Sequence, residues 1–244
     1  MGESATELIE QFIVEATRVG SVVYRAKDSE DVSTYILDMA RDRNMRSVIK
    51  SKSSLANWIG LRQRLQNEGL DVKETDIEEW IAQLSGESPT QDEKPIAQKS
   101  INQIAKALSE ETARELNPDP ELLVEATRLT LRESYINADI GISEAEIAIA
   151  ETGTYVIASN EGNDRLAALL PRLHVTLIDQ RNLVATWDAA ITRMKELYKG
   201  KKEWAMPSFV TYVTGRNTTG DIPGALMARA QGPEEEHIVL LDIS

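Results

Sequence analysis

Four short stretches place hydroxyls, amides, glycines and cations where the chain turns between regular elements, and such turns are where anions are commonly held. They are Lys50-Ser51-Lys52-Ser53-Ser54, Glu151-Thr152-Gly153-Thr154, Asn160-Glu161-Gly162-Asn163 with Arg165 close behind, and Thr214-Gly215-Arg216-Asn217-Thr218-Thr219-Gly220-Asp221. The unsatisfied N–H groups that open a helix attract negative charge, so a strand-to-helix turn is a possible cradle for a phosphate or carboxylate. The resulting ligand-binding set is Lys50, Ser51, Lys52, Thr152, Gly153, Thr154, Asn160, Gly162, Asn163, Arg165, Gly215, Arg216, Thr218 and Asp221. In it the Lys and Arg side chains supply charge, and Thr152, Thr154, Thr218 and backbone N–H groups supply neutral donors. Glu151 is the candidate for acid, base or nucleophilic chemistry, being ionisable in a glycine-containing turn between apolar strands. The competing reading is a turn carboxylate that caps nearby N–H groups.

Other chemistries find less support. Only two histidines exist, His174 and His237, each inside an apolar strand pattern, and there is no cysteine to join them in a zinc site. No metal site is expected from them. Gly141-Ile142-Ser143-Glu144-Ala145 has the spacing of a nucleophile elbow, but the preceding residues include Asn137 and Asp139 where a buried strand is required. Ser143 is therefore read as a cap. Neither a dinucleotide fingerprint nor a Walker A spacing occurs.

The elements that must position these residues follow from periodicity. Leu8, Ile9, Phe12, Ile13, Ala16 and Val19 share one helical face, which Gly20 can end. This N-terminal helix, residues 1–20, is expected to pack loosely or to bridge to a partner. Strand patterns at 21–26, 47–49 and 70–75 then alternate with helical ones, including a single helix over 55–66. Parallel neighbours need crossovers, and helices supply them, so residues 21–244 are expected to form one α/β domain. Its sheet should be mixed and largely parallel, with flanking helices. A hairpin turning at Gly153 adds the antiparallel part, and an acidic, mostly helical section occupies about 76–135. In an open parallel sheet, loops at the strands' carboxyl ends gather ligands, so the four stretches are expected to meet at one edge.

Composition narrows the class further. Lys plus Arg number 27 against 40 Asp plus Glu, a net charge of −13, which removes the global electrostatic drive toward nucleic acid or an anionic membrane. Zero cysteine excludes a disulfide, a thiolate nucleophile and a cysteine-ligated iron-sulfur cluster within these residues. No apolar run approaches the roughly 20 residues of a membrane span, and no basic leader precedes one, so no transmembrane segment and a cytoplasmic location are expected.

Ala138-Asp139-Ile140-Gly141-Ile142-Ser143, then Ala148-Ile149-Ala150-Glu151-Thr152-Gly153-Thr154, Asn160-Glu161-Gly162-Asn163 with Arg165, and Leu170-Pro171 with His174-Val175 resemble the lactate-utilisation (LUD) domain family. Lys50-Ser51-Lys52-Ser53, Glu74-Thr75-Asp76 and Gly232-Pro233-Glu234-Glu235 extend that likeness over most of the chain from about residue 45. The resemblance implies a fold similar to the sugar-phosphate isomerase and CoA-transferase-like group, and a part in oxidising L-lactate to pyruvate within a multi-subunit iron-sulfur system. In that setting this chain is a cluster-free subunit, without cofactor of its own, whose partners are iron-sulfur subunits and a small anionic substrate. Where such relatives tend to carry histidines, the chain has Gln91, Gln98 and Gln231, which take up no proton near neutral pH. The residues also admit a stand-alone enzyme or binder of a small anionic carboxylate, phosphate or CoA-like ligand.

Overall fold

In a computed structural model, which describes residues 4–86, 99–199, 206–219, 227–228 and 231–242, Ser4 and Glu7 form a reciprocal capping box that starts α1 (Ala5–Arg18). After β1 (Val22–Arg25), the Asp28 carboxylate accepts the Glu30 and Asp31 N–H groups and starts α2 (Ser29–Asp42). Next come β2 (Ser47–Lys50), α3 (Ser54–Trp58), α4 (Leu61–Asn67) and β3 (Asp71–Glu74). The single helix expected over 55–66 is thus two, because Gly60 adopts a left-handed φ of 63° that a continuous helix does not contain. The acidic section holds α5 (Ile77–Leu84), α6 (Ile101–Thr112) and α7 (Pro120–Asn137). Beyond it run β4 (Ile140–Glu144), β5 (Ile147–Ile149), β6 (Thr154–Ser159), α8 (Asn163–Leu169), β7 (Leu173–Asp179), β8 (Leu183–Val184), α9 (Trp187–Tyr198) and β9 (Phe209–Thr214). A short antiparallel pair, β10 (Thr218–Thr219) with β11 (Met227–Ala228), precedes β12 (Glu235–Leu241).

Six strands in the order β1-β12-β7-β4-β2-β3 form a sheet in which every pair is parallel. The expected α/β architecture is therefore present, with the antiparallel pairing outside this sheet and a parallel β5/β8 pair making the second sheet mixed. The hairpin at Gly153 belongs to a second sheet, β8-β5-β6-β9, whose β5/β6 and β6/β9 pairs are antiparallel.

One face of the parallel sheet sets Val48, Ile142, Val175 and Val239 against Val32 and Ile36 of α2 and Leu61 and Leu65 of α4. The opposite face, through Ile178, Ile238 and Leu240, meets Phe12 and Ala16 of α1 and Tyr155 and Ile157 of the second sheet. Helix α1 is consequently part of the core: Phe12 and Ala16 are fully buried. Two glycines permit this packing. A Cβ on Gly141 would lie 1.9 Å from the Ala167 carbonyl oxygen of α8, and one on Gly153 would lie 2.1 Å from the Ala16 nitrogen. Helices α5, α6 and α7 bury Trp80, Leu108, Leu131 and Tyr135 beside Ile49, while α9 covers the outer face of β5 and β6.

Candidate functional site

Lys50 ends β2 and Glu74 ends β3, and the parallel register places them side by side. The Lys50 ammonium lies 2.9 Å from a Glu74 carboxylate oxygen and 3.2 Å from one of Glu79 on α5. It also donates to the Asn57 side-chain oxygen at 3.3 Å and to the Ser51 carbonyl at 3.1 Å. Arg62 approaches the other Glu74 oxygen at 3.5 Å, and the Asn57 amide donates to Glu79 at 2.7 Å. All four groups are almost fully removed from solvent, where a buried cation needs a carboxylate beside it. Burial pushes the Glu74 carboxyl up to about 7, against the pull of Lys50, with repulsion from Glu79 adding to the rise. For Lys50, burial acts to lower the proton affinity, but Glu74 and Glu79 outweigh it and hold the ammonium above its ordinary range.

Two residues further on, Lys52 stands more than half exposed, with Asp76 at 3.6 Å and Glu78 at 3.5 Å. Asp76 also caps α5 by accepting the Glu79 N–H at 3.0 Å, and the Thr75 hydroxyl donates to the Lys50 carbonyl. The turn between β6 and α8 comes to the same place. Burial and then the Asp76 charge raise Glu161, with Lys52 opposing them and Asp164 and Glu78 reinforcing them. Tyr135 is raised to about 12, chiefly by burial, with a Thr75 hydrogen bond opposing and Asp164, Glu161 and Asp76 adding to the rise. Within that turn the Ser159 hydroxyl accepts the Gly162 N–H at 3.0 Å and donates to Asn163 at 3.3 Å. Arg165 faces outward, its guanidinium 5.3 Å from the Phe209 ring centre. At this part of the carboxyl edge Lys52 is thus a solvent-facing cation set among Asp76, Glu78, Glu161 and Asp164.

The hydroxyls of Ser53 and Ser54 are engaged internally, both donating to Glu144 at the end of β4. The buried Ser51 hydroxyl has no hydrogen-bond partner among the described residues. Sequence alone offers Lys50 as a charge for a ligand, but it is enclosed by its own carboxylates. Reading along the chain misses Glu74 and Glu79 as its partners, because their proximity comes from strand register and not from sequence spacing. The signal is present in the adjacent parallel strands ending in Lys50 and Glu74.

The other two stretches lie elsewhere. Thr154 pairs with Thr214 at the far end of β6, where the Thr152, Thr154 and Thr214 hydroxyls are linked at 2.8 Å each. Gly215 and Arg216 pack against Val19 and Gly20 after α1, and Thr218 lies in β10. Glu151 accepts the Trp187 N–H at 2.7 Å and so caps α9. Strand β6 separates this end from Asn160 by roughly 20 Å at about 3.3 Å per residue. The four stretches accordingly form two groups at opposite ends of β6, not one. Asp221, Gln91 and Gln98 lie outside the described residues; the Gln231 N–H donates to Asn217 at 3.3 Å.

Ser143 is not a cap. It lies in the buried run of β4, with its hydroxyl 2.8 Å from His174 Nε2, while the Tyr155 hydroxyl is 3.2 Å from Nδ1. The polar residues Asn137 and Asp139 conceal this strand because it starts just after them. Burial drives His174 down to about 3, so the ring is neutral, and the trio is sealed from solvent between the two sheets. His237 is likewise a strand residue, hydrogen-bonded to Tyr35 at 2.8 Å and Glu235 at 3.2 Å. Among the described residues no three His, Asp or Glu side chains converge as a metal site, and no helix is long and apolar enough to cross a membrane.

Residues 9–241 match the LUD domain family. The chain is 33% identical over 95% of its length to the "Uncharacterized electron transport protein YkgF" of Escherichia coli K12, covering 47% of that protein. It is also 33% identical, over 91% of its length, to lactate utilization protein B of Bacillus subtilis, of which it covers 45%. The Bacillus velezensis protein of the same name is 31% identical over 96% of the chain and 48% covered. The chain thus spans about half the length of these curated relatives. A crystal structure of a DUF162 family protein from Deinococcus radiodurans superposes with a TM-score of 0.54 at 15% identity, covering 98% of this chain and 99% of that one, which is a likeness of fold. With nearly its whole length matched to the family pattern, the chain belongs to the LUD domain family.

Proposed function

We propose that this chain is a cluster-free LUD subunit of a cytoplasmic lactate-utilisation system that oxidises L-lactate to pyruvate with iron-sulfur partners. The observation that carries the reading is the similarity of nearly this whole chain to about half the length of proteins named lactate utilization protein B. Oxidising lactate to pyruvate removes two electrons and two protons. These 244 residues contain carboxylates able to take protons but no cysteine to ligate a cluster, so the electrons pass to a cluster outside these residues.

The carboxyl edge is the proposed substrate site. Lys52 stands 3.5–3.6 Å from Asp76 and Glu78, beyond the usual hydrogen-bond length, so its ammonium can turn to an incoming carboxylate with little loss. Asn160, Gly162 and Asn163 supply neutral groups beside it. Beneath them, Lys50 and Glu79 fix the ends of β2 and α5, and Glu74 can exchange a proton near neutral pH. The test is growth of the native source on L-lactate after deletion of the gene, with complementation by the wild type or Lys52→Ala, and affinity purification of the wild-type chain. The reading expects growth to fail, the variant to restore it poorly, and an iron-containing protein to co-purify. Unchanged growth of the deletion strain and purification of the chain alone would overturn it.

A further inference from the structure

The outward face of α7 carries an apolar stripe that no described residue covers. Leu122, Leu129 and Ile136 are 51%, 52% and 63% exposed, whereas Leu123, Thr127, Leu131 and Tyr135 on the inner face are buried. The three exposed residues are spaced by seven, so they line a seam about 21 Å long. In heptad terms they occupy d positions, Ala126 and Glu133 occupy a positions, and Glu125 and Arg132 flank the seam at g positions. The inner face already packs against the fold, so among the described residues the stripe has no partner.

We propose that a second copy of this chain covers this stripe, α7 packing antiparallel on α7 about a twofold axis. The argument is charge complementarity. In an antiparallel pair g positions face g positions, so Glu125 meets Arg132 of the second copy, and symmetry repeats the contact. The small Ala126 then receives Leu129 of the second copy. A parallel pair would instead stack Glu133 on its own copy and leave Glu125 and Arg132 without opposite charges. Within one helix Glu125 has only a loose, exposed contact with Arg128 at 3.8 Å, which does not compete strongly.

The experiment is sedimentation equilibrium of the whole chain up to roughly 100 μM, a range suited to a micromolar dimer. The wild type is expected to reach twice the chain mass. Leu129→Glu, at an exposed position, is expected to remain monomeric with an unchanged circular dichroism melt. Glu125→Arg sets like charges together twice and is expected to weaken the dimer by about tenfold, and adding Arg132→Glu is expected to restore it. A wild type that stays monomeric, a dimer indifferent to Leu129→Glu, or a double charge reversal that fails to restore affinity would overturn the proposal.

Discussion

Replacing Glu74 by glutamine removes a buried proton site while keeping its shape, and the consequence can be worked from its surroundings. Folding raises this carboxyl from about 4.5 to about 7, burial being the largest cause. Between those values the native state retains a proton that the unfolded chain has released, so stability falls as pH rises through the interval. The contribution is complete below 4.5 and lost above 7. At about 1.4 kcal/mol per pH unit it amounts to about 3 kcal/mol. The amide that takes its place cannot titrate, so Glu74→Gln should gain about that much on the wild type between roughly pH 4.5 and 8. The assay is urea unfolding of both proteins across this range. His174, driven down to about 3, gives an opposite slope below its ordinary value of 6.5, but it is common to both proteins and cancels in their difference. Curves that run parallel from acid to mildly alkaline pH would show that Glu74 is ionised throughout and that the reading of the Lys50 cluster is wrong.

Gly141→Ala would force a Cβ to 1.9 Å from the Ala167 carbonyl, and a loss of about 3 kcal/mol or more in thermal unfolding is expected; a neutral result would mean that α8 can move aside freely. Phe12 is fully buried between α1 and the two sheets, so Phe12→Ala should cost about 3–5 kcal/mol, and a loss under about 1 kcal/mol would detach α1 from the core. The His174 ring should show no titration in its NMR signals between roughly pH 5 and 8, and a midpoint near 6.5 would contradict its burial. The purified chain should show no visible absorption from a stoichiometric chromophore, since it has neither cysteine ligands nor a dinucleotide fingerprint; a bound flavin or cluster spectrum would refute this.

Much of the fold is legible in the sequence because its signals are local. The spacing of Ile9, Phe12 and Ala16 gives α1, the left-handed Gly153 gives the β5–β6 hairpin, and the strand-helix alternation gives parallel pairing. Gly60 is harder, since one glycine inside an apolar period reads as a tolerated interruption until φ is known. The division into two sheets is also out of reach. It depends on β5 leaving the parallel sheet directly after β4, a choice made by the packing of Ala148 and Tyr155 on Ile178 and Leu240.

The site is less legible because its chemistry depends on pairings across the fold. Reading residue types alone makes Lys50 and Lys52 equivalent cations two positions apart. On a strand end two positions share a face, but β2 stops at Lys50, and the chain leaves the sheet before Lys52. One ammonium is therefore drawn into Glu74 and Glu79, and the other is left in solvent with looser partners. The same reasoning separates Glu151 from the edge. Its turn resembles the others in composition, but β6 runs antiparallel to β5 and carries Asn160 to the opposite end, leaving Glu151 to cap α9. Strand direction, which residue type does not encode, thus decides which of four similar turns can act together.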